Sequence, residues 1–151
     1  MAGEQIGASC KLYYNSGTHA SPTWVLVANA VDARAGFGKN YGDGSSRASG
    51  WKKNLAALRD LSCSFGYRYK AGADTVWDAL QAAAIANTPK ELFFADGASG
   101  TTGTEGFRAY FDLVFDQDQP LEDGVTVQFE GVHVAYYESS SMIDPDWYVV
   151  S

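Results

Sequence analysis

Alternation of apolar and polar positions dominates the chain. Leu61, Cys63, Phe65, Tyr67 and Tyr69 alternate with Ser62, Ser64, Gly66, Arg68 and Lys70. A period of two over this length predicts a strand with one buried face and one small or basic face, within a segment running from 58 to 70. Phe107, Ala109, Phe111, Leu113 and Phe115 alternate in the same way against Arg108, Tyr110, Asp112, Val114 and Asp116. The run from Val125 to Tyr137 predicts a return strand, with Gly131 interrupting its alternation as a bulge would. Lys11–Tyr14, Thr23–Val31 and Glu91–Ala95 are shorter strand candidates. Trp147 to Val150 reads as an edge strand or a docking segment.

One stretch has a helical period instead. Asp74 stands as an N-cap before TVWDALQAAAIAN, which contains neither Gly nor Pro, and Pro89 follows its end. Val76, Trp77, Leu80, Ala83 and Ala84 form its apolar face. Two stretches have no period. Ala33–Asn54 holds five glycines, three serines and five basic residues, which predicts a long basic loop at about 34–54 or an open hairpin tip. ADGASGTTGTEG predicts a second flexible loop, and Pro120–Gly124 (PLEDG) an acidic turn. The economical architecture is mainly β: an antiparallel sandwich or barrel with one flanking α-helix. It forms one domain over 1–151, with a C-terminal extension from about 139.

Composition narrows the function classes. A chain of 151 residues and 16.3 kDa can bury about two-thirds of its unfolded surface, enough for one core. The net charge of −7 argues against a uniformly basic nucleic-acid binder. Its distribution says more, because residues 1–70 carry +5 and residues 71–151 carry −12. Such a chain can present complementary surfaces to its own copies. No apolar run approaches a membrane span, and the opening residues lack a secretory signal pattern. Cys10 and Cys63 make neither a disulfide framework nor a zinc site; the sequence leaves a single bridge between them open, and reduced, buried thiols are the expectation.

The candidate chemistry is thin. GFGKNYG, from Gly36, fits neither phosphate-loop spacing. His19, in a turn region, is expected to be solvated, and His133, in a strand, to be a satisfied structural residue. Asp116, Asp118, Glu122 and Asp123 surround a turn but lack calcium-loop spacing, so a solvated turn is the reading. Trp24, Trp51, Trp77 and Trp147 could serve carbohydrate stacking, though Trp77 is better explained as core. No catalytic spacing emerges. The chain is therefore expected to be no enzyme and to need no cofactor or metal.

The segment Trp51–Leu80 resembles the major tail tube proteins of phages with long non-contractile tails. The resemblance rests on the leading Trp51, on Leu58-Arg59-Asp60 and Ser62 entering an alternating strand, and on the helix carrying Asp74, Trp77 and Leu80. The acidic turn Pro120-Leu121-Glu122-Asp123-Gly124 before a valine-rich strand extends it. As an order of elements it covers roughly residues 11–137. It implies a helix-flanked β-sandwich that forms homo-hexameric rings stacked head-to-tail into a virion tail tube, assembled in the cytoplasm of a bacterial host. Tape-measure protein and then genomic DNA would pass through the lumen without specific binding, and tail terminator or tip proteins would close the ends. No membrane partner is expected. Lys39, Arg47, Lys52 and Lys53 then become candidates for the ring-stacking contact. Asp112, Asp116, Asp118, Glu122 and Asp123 become candidates for its acidic partner or the lumen surface. The competing expectation is a monomeric β-sandwich module that binds a ligand such as a carbohydrate.

Overall fold

The computed structural model describes residues 10–48, 50–69, 74–119 and 125–151. Its elements run β1 (Lys11–Asn15), β2 (Trp24–Leu26), β3 (Ala30–Asp43), β4 (Asn54–Arg68), α1 (Thr75–Ile85), β5 (Lys90–Ala95), β6 (Glu105–Asp118), β7 (Thr126–His133), β8 (Tyr137–Glu138), β9 (Ser141–Met142) and β10 (Asp146–Val149). The main sheet has the order β2-β1-β5-β6-β7-β4-β3, with β10 added to β6. Strands β2 and β3 stand at opposite ends of this order, yet only residues 27–29 separate them. The sheet must therefore roll until its two ends meet. Hydrogen bonds from the Val27 N–H to the Leu12 carbonyl and from the Arg68 N–H to the Asn29 carbonyl fasten that corner.

Strand β6 is shared by both halves of the roll. Its residues 106–111 pair with β5, and its residues 111–118 pair with β7. Between the halves lies the core, formed by the alternating faces that the sequence predicts. Phe65 and Phe129 stack with centroids 5.0 Å apart, and Leu92, Phe111 and Leu113 pack in the same cluster. Helix α1 closes one side. Asp74 caps it by accepting the Trp77 N–H, and Leu80 and Ala83 are its buried residues. The Trp77 ring lies against Tyr67, Tyr69, Phe115 and Phe129, which makes it a core residue.

Several expectations need correction. The segment from Ala33 to Asp43 is strand, not loop: β3 pairs with β4 from Ala30↔Tyr67 to Asp43↔Asn54, leaving only 44–53 as the tip. Its glycines hid the strand, because they erase the apolar alternation while leaving every backbone donor and acceptor available to the ladder. Thr23–Val31 is two strands broken at 27–29. The return strand ends at His133, and Gly131 is not a bulge, since its register runs unbroken between Cys63 and Leu113. A Cβ at Gly131 would lie 2.6 Å from Cys63 Sγ and 3.1 Å from both Phe111 Cβ and Leu113 Cδ2, so packing requires the glycine.

Beyond 133 the chain is not a loose extension. The N–H of Val134 still bonds the Tyr110 carbonyl, β8 and β9 form a small hairpin, and β10 then resumes pairing with β6 at residues 105–108. Val150 exchanges backbone hydrogen bonds with Gly103 and Thr104, pinning the loop expected to be flexible. The turn 120–124, with Glu122 and Asp123, and Lys70 lie outside the described residues.

Candidate assembly surfaces

The β3–β4 hairpin outruns the sheet. Pairing of β4 with β7 stops at Ser62↔Val132, so Asn54–Leu61 continues with β3 alone, a reach of roughly 26 Å at ~3.3 Å per residue. At the tip the Gly44 N–H bonds the Lys53 carbonyl, and the Lys53 N–H bonds Ser45 Oγ. The Ser45 hydroxyl, and then its N–H, hold the Asp43 carboxyl below its ordinary range. Arg47, Lys52 and Lys53 gather at this tip, all exposed. Lys39 sits farther back on β3, opposite Arg59 of β4, an exposed cation that the sequence does not place among the stacking candidates. The hairpin is also apolar: Trp51 is 81% exposed, Leu58 77%, and Phe37, Tyr41 and Leu55 are each more than half exposed. Exposed side chains of this size concentrated on one projection mark an interaction surface.

The half of the roll made by β6 (111–118), β7, β4 and β3 has two open edges. One is β3, which ends the strand order. The other is β6 beyond Phe111, where pairing with β5 has stopped. The solvent face of this half is built in cross-strand rows: Asp112–Val132–Ser62–Gly36, Val114–Glu130–Ser64–Arg34, then Asp116–Gln128–Gly66 and Asp118–Thr126–Arg68. Asp112, Asp116, Asp118, Glu130 and Asp60 outnumber Arg34 and Arg68 there, and Ser, Gly, Thr and Gln fill the remainder apart from three valines, Val31, Val114 and Val132. Asp116 and Asp118 lie at the opposite end of the sheet from the basic tip, in register with Gln128 and Thr126. Arg68, level with Thr126, and Asn54, at the tip, are 14 residues apart on β4, roughly 46 Å.

His19 is not solvated. Its Nδ1 lies 2.6 Å from Glu91 Oε2 and 2.6 Å from Arg108 Nη2, while its backbone N–H bonds Glu138 Oε1. Glu91 and Arg108 are buried and paired at 3.4 Å, and Asn15 donates to the other Glu91 oxygen. The Arg108 guanidinium also lies against the rings of Trp24 and Tyr148. This cluster ties β1, β5, β6 and the C-terminal segment together, and a buried charge pair with these added partners is a structural feature. His133 bonds the Tyr110 carbonyl through Nδ1. Tyr110 stacks on Tyr136, and burial first, then the nearby Glu91 charge, pushes its phenol up. Of the two reduced cysteines Cys63 is buried and Cys10 exposed, against the expectation that both would be buried.

A groove of about 960 Å³ opens between β3 and the ends of β1, β5 and β6, with Val27, Phe94, Asp32, Glu105 and Trp147 among its lining residues. The rings of Phe37, Phe107 and Trp147 form a row, with centroids 6.2 and 5.4 Å apart.

No family model matches this chain, and no curated protein matches it. Solved structures do. The tail of an empty gene transfer agent particle with C6 symmetry superposes with a TM-score of 0.68 at 18% identity, over 87% of this chain and 95% of that one. The SPP1 tail tube superposes with a TM-score of 0.73 at 11% identity, over 97% of this chain and 80% of that one. An anti-feeding prophage baseplate structure reaches 0.53 at 9% identity, with 99% of each chain covered. The chain therefore has the tail-tube fold.

Proposed function

We propose that this protein is a structural, non-enzymatic virion subunit whose copies close into rings and stack into a phage tail tube. The observation that carries the reading is the placement of unlike surfaces on one sheet. It has two open lateral edges, a basic apolar hairpin at one end, and acidic residues at the other. Open edges favour lateral pairing between copies, which removes the exposed ladder. Within the half-sheet β3 runs antiparallel to β6, so the β3 of one copy meets the β6 of the next as an antiparallel pair. Four strands from each of six copies, the symmetry of the similar gene transfer agent tail, would close a barrel of about twenty-four strands, wide enough to leave a channel.

In that barrel the acidic solvent face lines the lumen, with Asp112, Asp116 and Asp118 among its carboxylates. Such a surface repels nucleic-acid phosphates and lets tape-measure protein and genome slide past. Lys39, Arg47, Lys52 and Lys53, with the apolar hairpin, form the stacking contact toward the acidic end of the adjoining ring, where Glu122 and Asp123 are the proposed partners. Head-to-tail repetition of unlike ends gives an open-ended tube. Tail terminator or tip proteins would cover the ends, and assembly would take place in the host cytoplasm.

Negative-stain microscopy of the purified protein at low salt is expected to show rings or tubes. The Lys52→Glu/Lys53→Glu variant should form fewer stacked rings. Monomers alone at high concentration, with or without a tail-tip extract as initiator, would defeat the reading. The groove beside Trp147 supports a second reading, a carbohydrate-binding module. It predicts a monomer whose tryptophan fluorescence changes across a glycan panel.

A further inference from the structure

We infer that Arg34 of one copy pairs with Asp118 of the next, with Asp116 beside it, and that this contact sets the register of ring closure. The inference rests on lateral pairing of β3 with β6 and specifies how the two edges align.

The usable length of each edge is limited. On β3 an extra residue enters between Val31 and Arg34, where Asp32 adopts φ 51°, so the regular edge begins at Arg34. A second irregularity follows Lys39, leaving the regular segment Arg34–Lys39. On β6 the edge is open from Asp112 to Asp118, because Phe111 is the last residue paired with β5. A six-residue edge meets a seven-residue edge.

Facing narrows the register further. Arg34 and Gly36 lie on the solvent face through their pairing with Ser64 and Ser62. Asp112, Val114, Asp116 and Asp118 lie on that same face through Val132, Glu130, Gln128 and Thr126. A continuous barrel keeps side chains of one face together, so even-numbered residues of β3 must oppose even-numbered residues of β6. Of the antiparallel registers that satisfy this, the one with Arg34 opposite Asp118 pairs all six residues, with Lys39 reaching Leu113. Moving Arg34 to Asp116 would require Phe111, whose edge is already taken by Lys90 of β5.

In the favoured register Gly36 opposes Asp116, and Gly38 opposes Val114. The missing side chain at Gly36 leaves room for the Arg34 guanidinium to reach the diagonal Asp116 carboxylate as well as Asp118. Arg34, Asp116 and Asp118 make no ion pair with any described residue of their own chain. Within the copy, Arg34 is the only cation on the open β3 edge of that face, and the open β6 edge bears only carboxylates among its charged groups.

Charge exchange tests this. Arg34→Glu should raise the protein concentration needed for ring formation by at least about tenfold, as should Asp118→Arg with Asp116 intact. The combined Arg34→Glu/Asp118→Arg protein should recover most of the loss. In a Cys10→Ser background, Arg34→Cys with Asp118→Cys should form disulfide-linked oligomers up to the ring number, whereas Arg34→Cys with Asp112→Cys should not. All these positions are solvent-facing, and an unchanged melting temperature of the isolated subunit checks that it folds. Rings formed equally well by Arg34→Glu, or no recovery in the exchanged protein, would overturn the register while leaving tube assembly intact. Failure of the unaltered protein to form rings would instead defeat the tube reading itself.

Discussion

Strand β4 passes through two environments, and the contrast between them explains the molecule. Along its inner half, Leu61, Cys63, Phe65 and Tyr67 are buried, with Leu61 only 3% exposed. Three residues earlier Leu58 is 77% exposed, and Leu55 and the tip residue Trp51 are exposed with it. The backbone is strand in both halves, and both carry large apolar side chains. What differs is the other side: β6, β7 and α1 cover the inner half, whereas only β3 accompanies the outer half. Large apolar side chains of one strand thus make a core where the chain folds back over them and a contact surface where it does not.

The largest expected effects break the inner region. Phe65→Ala or Phe129→Ala removes a fully buried ring from a stacked pair and should cost about 3–5 kcal/mol of unfolding free energy in urea titration. Arg108→Ala strands the buried Glu91 carboxylate and should cost a similar 3–5 kcal/mol, more than the exchange of both for apolar residues of like volume. Gly131→Ala should cost about 1–3 kcal/mol by overpacking, and adding Cys63→Ala should return part of it, because the nearest atom to the new methyl is removed.

In the outer region the same kind of substitution should leave the subunit unharmed. Trp51→Ala or Leu58→Ser is expected to change the unfolding free energy by no more than about 0.5 kcal/mol while sharply reducing ring stacking in micrographs. A stability loss equal to that of Phe65→Ala would erase the contrast between the halves. The effect of pH is smallest at neutrality. Burial pushes the Cys63 thiol from near 9.0 up to about 12, and burial together with the hydrogen bond to Asp74 pushes the Tyr67 phenol from 10.0 up to about 12. Both groups remain neutral in the fold while the unfolded chain ionises. Their contribution is complete below pH 9 and is lost as pH rises through about 12, which denaturant titrations between pH 8 and 11 would follow.

Legibility in the sequence followed the local rules. The strands around Phe65, Phe111 and Phe129 and the Asp74-capped helix were readable, because period and capping residue are local properties. Strand β3 was not, because Gly36, Gly38 and Gly42 carry no side chains to show an alternation. His19 looks solvated in the sequence because its partners, Glu91 and Arg108, lie 72 and 89 residues away. At Gly131 a broken alternation looked like a bulge, although Cys63 and Leu113 on the flanking strands account for it.

The chain's own order of residues determined which segments could be strand or helix, and that positive charge would collect before the helix and negative charge after it. Only the tertiary structure decided where those charges meet space. Rolling the sheet placed Arg34 on one open edge and Asp116 and Asp118 on the other, and put the cations of the hairpin tip roughly 46 Å from the acidic end of the same sheet. Charge sums and periodicities are sums over neighbours in sequence, whereas edges and ends exist only once distant strands have paired.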